Sequence, residues 1–189
     1  MDDTQLTDEE VARRVQKGDT AGFEILVERY RQKLLRYGGK LLFNRSDLED
    51  IVQEVFIKAY RNLKGFDPDR KFSSWIYRIA HNEFINHGKK FSRQVIDYFD
   101  FEVFLPRVPQ SKSPEEDFDA GELKGALDAS LNRLKEKYRE PLALHYLEGL
   151  DYKEIADVLQ LPVNTVGIRI MRGKEQLRKI FNKDDGKRA

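Results

Sequence analysis

Apolar residues recur every three or four positions along most of this chain, and nowhere do they alternate long enough to predict a strand. Thr7 with Glu10 forms a capping-box pattern, and Val11 and Val15 follow at helical spacing. Beyond Gly18-Asp19-Thr20, the set Phe23, Leu26, Val27, Tyr30, Leu34, Tyr37 and Leu41 predicts a long amphipathic helix, interrupted or ended near Gly38-Gly39. Ser46 with Glu49 predicts another helix start. Its apolar stripe runs through Leu48, Ile51, Val52, Val55, Phe56, Ala59 and Leu63. Gly65-Phe66-Asp67-Pro68-Asp69 reads as a loop, because proline lacks a donor and disfavours helix at the residue before it. Ser73 or Ser74 is then expected to cap a helix carrying Trp75, Ile76, Ile79, Ala80 and Phe84.

Residues 91–121 lose this regularity. They hold Pro106, Pro109 and Pro114 and the polar run Gln110-Ser111-Lys112-Ser113, and they read as a linker. Helical periodicity resumes in four pieces, roughly Glu122 to Leu134, Tyr138 to Leu147, Tyr152 to Leu159 and Pro162 to Phe181. The expectation is an all-α protein of two small helical domains joined by a flexible linker: 1–90, 91–121 and 122–189.

Composition narrows the function. The chain has 189 residues, and 35% of them are charged, which suits small helical domains with much exposed surface. It contains no cysteine, which excludes disulfides, thiolate chemistry and cysteine-based zinc sites. The N-terminus is not patterned as a signal peptide, and no apolar run approaches the roughly 20 residues of a spanning helix, so a soluble, cytoplasmic protein is expected. The net charge of +1 averages over segments of opposite sign. Arg61 to Arg93 carries a net +5, Thr165 to Lys183 another +5, and Asp97 to Glu122 a net −6. Two basic patches joined by an acidic strap fit two separate contacts with a polyanion, although either patch alone could be a solvated face.

The second patch lies on a helix-turn-helix pattern. Asp151 with Glu154 caps the first helix, whose inner face is Ile155, Val158 and Leu159, and Ala156 permits a close crossing. Leu161-Pro162 makes the turn, and Val163, Val166 and Ile170 bury one side of the second helix. Asn164, Thr165, Gly167, Ile168, Arg169, Arg172 and Lys174 are left to face outward, where a major groove would admit them. An ordinary helical hairpin is the bland alternative.

In the first domain, aromatic and basic residues interleave, in a mixture suited to single strands: bases stack on rings while cations track the backbone. Phe66, Arg70, Lys71, Tyr77, Arg78, His81, Asn82 and Asn86 are the candidates. Phe72 and Trp75 fit a core better, whereas Tyr77, Arg78 and Asn82 lie off the Ile76-Ile79 stripe. Asp47, Glu49, Asp50, Gln53 and Glu54 make an acidic face that is wrong for nucleic acid and suits a basic protein groove, or simply solvent. His81, His87 and His145 fit no metal-ligand pattern, and no phosphate-cradling glycine loop occurs. No catalysis, cofactor, metal or small-molecule substrate is expected.

Three motifs in order carry a resemblance: Asp50-Ile-Val-Gln-Glu-Val-Phe-Ile-Lys-Ala-Tyr60, Phe72-Ser-Ser-Trp-Ile-Tyr-Arg-Ile-Ala-His-Asn82, and Tyr152-Lys-Glu-Ile-Ala156 with Pro162-Val-Asn-Thr-Val166. Together they resemble extracytoplasmic-function (ECF) sigma factors, group IV of the sigma-70-type RNA polymerase subunits. The match runs from about Gly18 to Phe181 with the linker unmatched. The resemblance implies that Asp47, Asp50, Gln53 and Glu54 bind a coiled coil of the largest subunit of RNA polymerase core. It further implies that the Gly65 to Asn86 segment reads the promoter −10 element as a melted strand with a flipped base, and that the helix-turn-helix reads the −35 element as duplex. An anti-sigma factor, often membrane-bound, is the implied regulator, and it could hold the chain at the inner membrane face. A conventional helix-turn-helix regulator acting without polymerase is the alternative. Gly167 and Ile168 depart from the lysine and small polar residue common in the family.

Overall fold

The computed structural model describes residues 6–41, 47–91 and 130–185, and every regular element among them is helical. Of the linker expected at 91–121, Phe91 is still helical; the rest of it and most of the helix expected from Glu122 to Leu134 lie outside the described residues.

Among the described residues, four helices form the N-terminal module. Helix α1 (Asp8–Gln16) starts at the expected capping box: Thr7 Oγ1 accepts from the Glu10 backbone, and the Glu10 carboxylate accepts from the Thr7 N–H at 2.8 Å. Helix α2 (Gly22–Leu41) buries Leu26, Tyr30, Leu34, Tyr37 and Leu41 along one stripe. It continues through Gly38 and Gly39 rather than breaking there. Gly38 faces a crowded crossing, where an added Cβ would stand 2.5 Å from Leu48 Cδ1 and 2.7 Å from Phe84 Cζ. The glycine serves close packing, not termination.

Helix α3 (Leu48–Asn62) buries the predicted stripe from Leu48 to Ala59. Asp47 precedes it without a side-chain cap, and Ser46 lies outside the described residues. A short 3-10 turn, Leu63–Gly65, leads into the loop before helix α4 (Phe72–Phe91). The Gln16 amide pins that turn by donating to the carbonyls of Leu63 at 2.9 Å and Phe66 at 2.7 Å. Neither Ser73 nor Ser74 caps α4, since both lie inside its first turn. Glu9 from α1 does so instead, accepting the Phe72 N–H at 3.0 Å. That partner is distant in sequence and invisible to a local pattern. Edge-on ring contacts pair Phe72 with Tyr30 and Phe66, and Tyr37 with Tyr77 and Phe84, knitting α2 to α4.

In the C-terminal module, helix α5 (Glu136–Leu142) widens after Pro141 into a π turn over Ala143–Leu147. Pro141 has no N–H for the carbonyl four residues back, so the ladder is already broken where the wider turn starts. Helices α6 (Tyr152–Leu159) and α7 (Val163–Asp185) follow. Gly173 of α7 lets α5 approach closely, since a Cβ there would lie 2.6 Å from Leu142 Cδ1.

The two modules are not held apart. Helix α6 packs along α4, and α2 meets α5 and the π turn. Buried residues of both modules form one continuous apolar cluster.

Candidate nucleic-acid interface

The α6–α7 unit has the geometry of a helix-turn-helix. Asp151 Oδ1 accepts from the backbone of Lys153 at 2.7 Å and Glu154 at 2.8 Å, while Glu154 Oε2 accepts from the Asp151 N–H at 2.9 Å. The predicted capping box is therefore complete at both ends. Gln160 ends α6 in the left-handed region (φ 54°), and the Leu161 N–H donates to the Ala156 carbonyl at 3.1 Å. The chain thus reverses at Gln160, one residue before the expected Leu161-Pro162 turn. Ile155, Val158, Val166 and Ile170 are buried between the helices. Val163 is a correction: at 41% exposure it belongs to the outer surface of the first α7 turn, not to the packed side.

On α7, Asn164 and Lys174 are exposed, and Thr165, Gly167, Ile168, Arg169 and Arg172 are half-buried along the same helix. Gly167 stands over the Tyr152 ring, which an added Cβ would approach only to 3.7 Å. Lys174 Nζ lies 5.9 Å from the centre of the Tyr146 ring.

The candidates of the first module fall into three groups. Arg70, Lys71, Asn82 and Asn86 are exposed. Tyr77, Arg78 and His81 face the second module. Tyr77 was expected off the packed stripe, yet it is 1% exposed. Its hydroxyl donates to Glu148 Oε2 at 2.5 Å. Arg78 Nη2 donates to Gln160 Oε1 at 3.0 Å, and His81 Nδ1 lies 2.6 Å from Glu140 Oε1. Phe66, at 4% exposure, packs in the core against Phe72 and Trp75.

Two buried carboxylates organise this contact, and the sequence pattern singles out neither. Glu148, whose side chain is fully buried, accepts from Arg36 Nε at 2.8 Å and Nη2 at 2.7 Å as well as from Tyr77. Glu140 Oε1 accepts the Tyr37 hydroxyl at 2.7 Å beside His81. A third acid, Glu154, accepts from Ser73 Oγ at 2.5 Å. Burial first, then the neighbouring carboxylate and its hydrogen bond, push the phenols of Tyr37 and Tyr77 far above the usual tyrosine range. Glu140 was legible in one respect: it borders the apolar run Pro141-Leu142-Ala143-Leu144, and an acid drawn into a core must find donors.

The acidic candidates lie together on the outer side of α3. Asp50 and Gln53 are exposed, Asp47 and Glu54 half-buried. Glu54 has a loose ion pair with Lys58 at 3.9 Å, and Lys58 makes its closer contact, 2.6 Å, with Glu83 of α4. Beside them, between α2 and α3, a groove is lined by half-buried Phe23 and exposed Ile57 and Tyr60, with Arg31 and Arg61 also lining it. Among the described residues there is no cluster of three or more side chains able to hold a metal, and no helix long and apolar enough to cross a membrane.

Comparison with known proteins places both modules. Residues 26–94 match the family described as Sigma-70 region 2, and residues 124–177 match Sigma-70, region 4. The ECF RNA polymerase sigma factor SigW of Bacillus subtilis (strain 168) is 37% identical over 175 residues, covering 88% of this chain and 92% of that protein. The structure of CnrH in complex with the cytosolic domain of CnrY superposes with a TM-score of 0.69 at 26% identity, covering 94% of this chain and 98% of that one. The sigma factor RpoE of Bartonella quintana, solved with the anti-sigma factor NepR, shares the fold at a TM-score of 0.65 and 22% identity, covering 85% and 96% of the two chains.

Proposed function

The chain belongs to the ECF RNA polymerase sigma factors, which bind polymerase core and direct promoter-specific initiation, and from that premise we propose how its own residues divide the work. Asp47, Asp50, Gln53 and Glu54 on α3 take the largest-subunit coiled coil of core. An acidic, largely exposed face on one rigid helix suits a basic protein surface and repels DNA. Arg70, Lys71, Tyr77, Arg78, His81, Asn82 and Asn86 form the −10 site, with cations for the strand backbone and ring and amide groups for unstacked bases, while Phe66 supports the loop from the core. Asn164, Thr165, Gly167, Ile168, Arg169, Arg172 and Lys174 form the −35 site. Asn164 and Thr165 stand at the N-terminal end of α7, where a recognition helix meets base edges, and the later cations meet phosphates.

The domain limits we assign are 1–90 for core binding and −10 melting, 91–121 for the linker and 122–189 for −35 reading. Thirty-one linker residues at about 3.3 Å each reach roughly 100 Å, more than the roughly 70 Å of two DNA turns. An anti-sigma partner is part of this reading, supported by the fold shared with CnrH solved on CnrY and with a sigma factor solved on an anti-sigma factor. A membrane-bound partner of that kind would hold the chain at the inner membrane face.

One observation carries the reading: an aromatic-basic helix and a helix-turn-helix occur in one chain, in order, together with an acidic helix face that duplex binding alone does not need. The test is run-off transcription by purified core on a promoter library randomised at two blocks two helical turns apart. Transcripts should require both the chain and core and should select both blocks. Selection of the upstream block alone, with no dependence on core, would favour the conventional regulator.

A further inference from the structure

Gly167 is a glycine that the fold does not require. It lies inside α7, where glycine weakens a helix relative to alanine. Its backbone does not need glycine either, since the positive-φ glycines of the described residues are Gly18 and Gly149. An added Cβ would meet the Tyr152 ring at 3.7 and 3.9 Å, which is ordinary contact. Gly38 and Gly173 differ, because a Cβ there would collide with Leu48 and Phe84 or with Leu142. Nothing among the described residues requires position 167 to be bare, whereas a body approaching α7 from outside would.

The residues around Gly167 identify that body. Helix α7 turns a buried stripe, Val166, Ile170, Gly173 and Leu177, toward its own module. At about 100° per residue, the opposite side carries Asn164, Ile168 and Met171. The apolar cluster takes in Ile180 and Phe181 of the same helix but neither Ile168 nor Met171, both of which are half-buried. Cations surround this strip: Arg169, Arg172 and Lys174, with Arg178 and Lys179 farther along. A basic surround draws in a polyanion, and an apolar strip within it must meet the apolar part of that polyanion. In the DNA major groove that part is the thymine C5-methyl group.

We propose that Ile168 and Met171 read thymine C5-methyl groups in the −35 major groove, and that Gly167 is bare so that α7 can come close enough for this contact. The inference rests on the −35 assignment above and adds the base feature that α7 selects. Isoleucine reaches only a short way beyond its Cβ, far less than arginine, so the helix backbone itself has to sit deep in the groove. A side chain at position 167 would stand in the way of that approach. Asn164, one turn before Ile168, carries the amide that pairs with N6 and N7 of adenine. From Asn164 to Met171 the helix rises about 10 Å, which spans roughly three base pairs. The strip thus selects adenine and thymine together within one short block.

Replacing thymine by deoxyuridine tests this one atom at a time, because it removes the methyl and leaves the hydrogen-bonding edge intact. The full chain bound to polymerase core first selects its upstream block from a randomised promoter library. Each thymine of that block is then replaced singly by deoxyuridine, and holoenzyme binding and run-off transcription are measured. At one or two positions the replacement should weaken binding about four-fold, as expected for one buried methyl-sized group. Holoenzyme carrying I168A or M171A should bind less tightly and lose the deoxyuridine response at the position its own side chain reads. Both variants should keep the wild-type urea midpoint, since neither side chain belongs to the core cluster. Gly167→Ala should raise the midpoint of the chain yet weaken promoter binding roughly five-fold or more, because helix stability and close approach are opposed there.

With initiation intact, a deoxyuridine response unchanged in I168A and M171A, or absent from wild type, would overturn the methyl reading and leave the strip to a protein partner. A Gly167→Ala chain that binds the promoter as tightly as wild type would overturn the close approach. The wild-type measurements and Gly167→Ala stand even if an Ile168 or Met171 variant fails to fold. A chain that directs no core-dependent transcript from any library member would instead overturn the function on which the inference rests.

Discussion

Gly38→Ala tests whether the crossing of α2, α3 and α4 is set by backbone approach. An alanine Cβ would stand 2.5 Å from Leu48 Cδ1 and 2.7 and 2.9 Å from two carbons of the Phe84 ring, all well inside contact distance. Neither neighbour can swing away. Leu48 is 8% exposed and Phe84 fully buried, its ring edge-on to Tyr37 with centroids 5.7 Å apart. Overpacking a filled core costs about 1–3 kcal/mol, and two rigid neighbours place this site in the upper part of that range. Alanine recovers roughly 1 kcal/mol of helix propensity over glycine in a helix interior. The net expectation is a destabilisation of about 1–2 kcal/mol. With a urea m-value of about 2 kcal/mol/M, the midpoint of unfolding should fall by roughly 0.5–1 M. Because Leu48 opens the helix that carries Asp50 and Gln53, core affinity should weaken alongside. An unchanged or raised midpoint would refute the packing argument and return Gly38 to a propensity effect.

Gly167→Ala is the converse case: its Cβ would meet the Tyr152 ring at an ordinary 3.7 Å, so a gain of up to about 1 kcal/mol in the same urea titration is expected. Replacing both Arg169 and Arg172 by alanine should weaken binding to −35 duplex and reduce the slope of log K against log salt by about 0.9 for each phosphate that no longer meets a cation; an unchanged slope would remove them from the phosphate set. Tyr30, Tyr37 and Tyr77 have phenols raised by burial and by adjacent acids, so their stabilisation is complete below the unfolded value near 10 and disappears progressively as pH rises above it. In an absorbance titration the phenols of Tyr30, Tyr37 and Tyr77 should therefore ionise only on alkaline unfolding; their ionisation while the chain is still folded would contradict the burial.

Helices and caps were legible where the determinant is local. The Thr7–Glu10 and Asp151–Glu154 boxes need only four consecutive residues each, and both form as read. The stripes of α2 and α3 likewise follow from period alone. What failed had a distant cause. The start of α4 is held by Glu9, sixty-three residues upstream, so the serines nearest the helix mislead as caps. Gly38 reads as a breaker because a sequence does not display Leu48 and Phe84 against it. Tyr77 lies off the Ile76-Ile79 stripe, yet its ring packs edge-on against Tyr30 and Tyr37 of α2 and its hydroxyl reaches Glu148 of the second module. Periodicity reports one helix face toward one core and is silent about a second face that a different module covers.

Glu154 couples those two scales and can be dissected. Oε2 closes the α6 capping box on the Asp151 N–H, while Oε1 receives the Ser73 hydroxyl from α4. Local helix initiation and module contact thus share one carboxylate. Ser73→Ala removes only the link between modules, a single hydrogen bond to a charged group of about 1.5–3 kcal/mol when sheltered and less here at a partly exposed position. Glu154→Ala removes that bond and half of the capping box together, adding about 1 kcal/mol from the weakened helix start. In urea titrations of the two single variants and the double, Glu154→Ala should exceed Ser73→Ala by about that capping contribution, and the double should match Glu154→Ala alone. Equal shifts for the two single variants would mean that the box contributes nothing here. A fully additive double would mean that Ser73 and Glu154 do not interact in solution, and the contact between α4 and α6 would then have to rest on its apolar packing without this link.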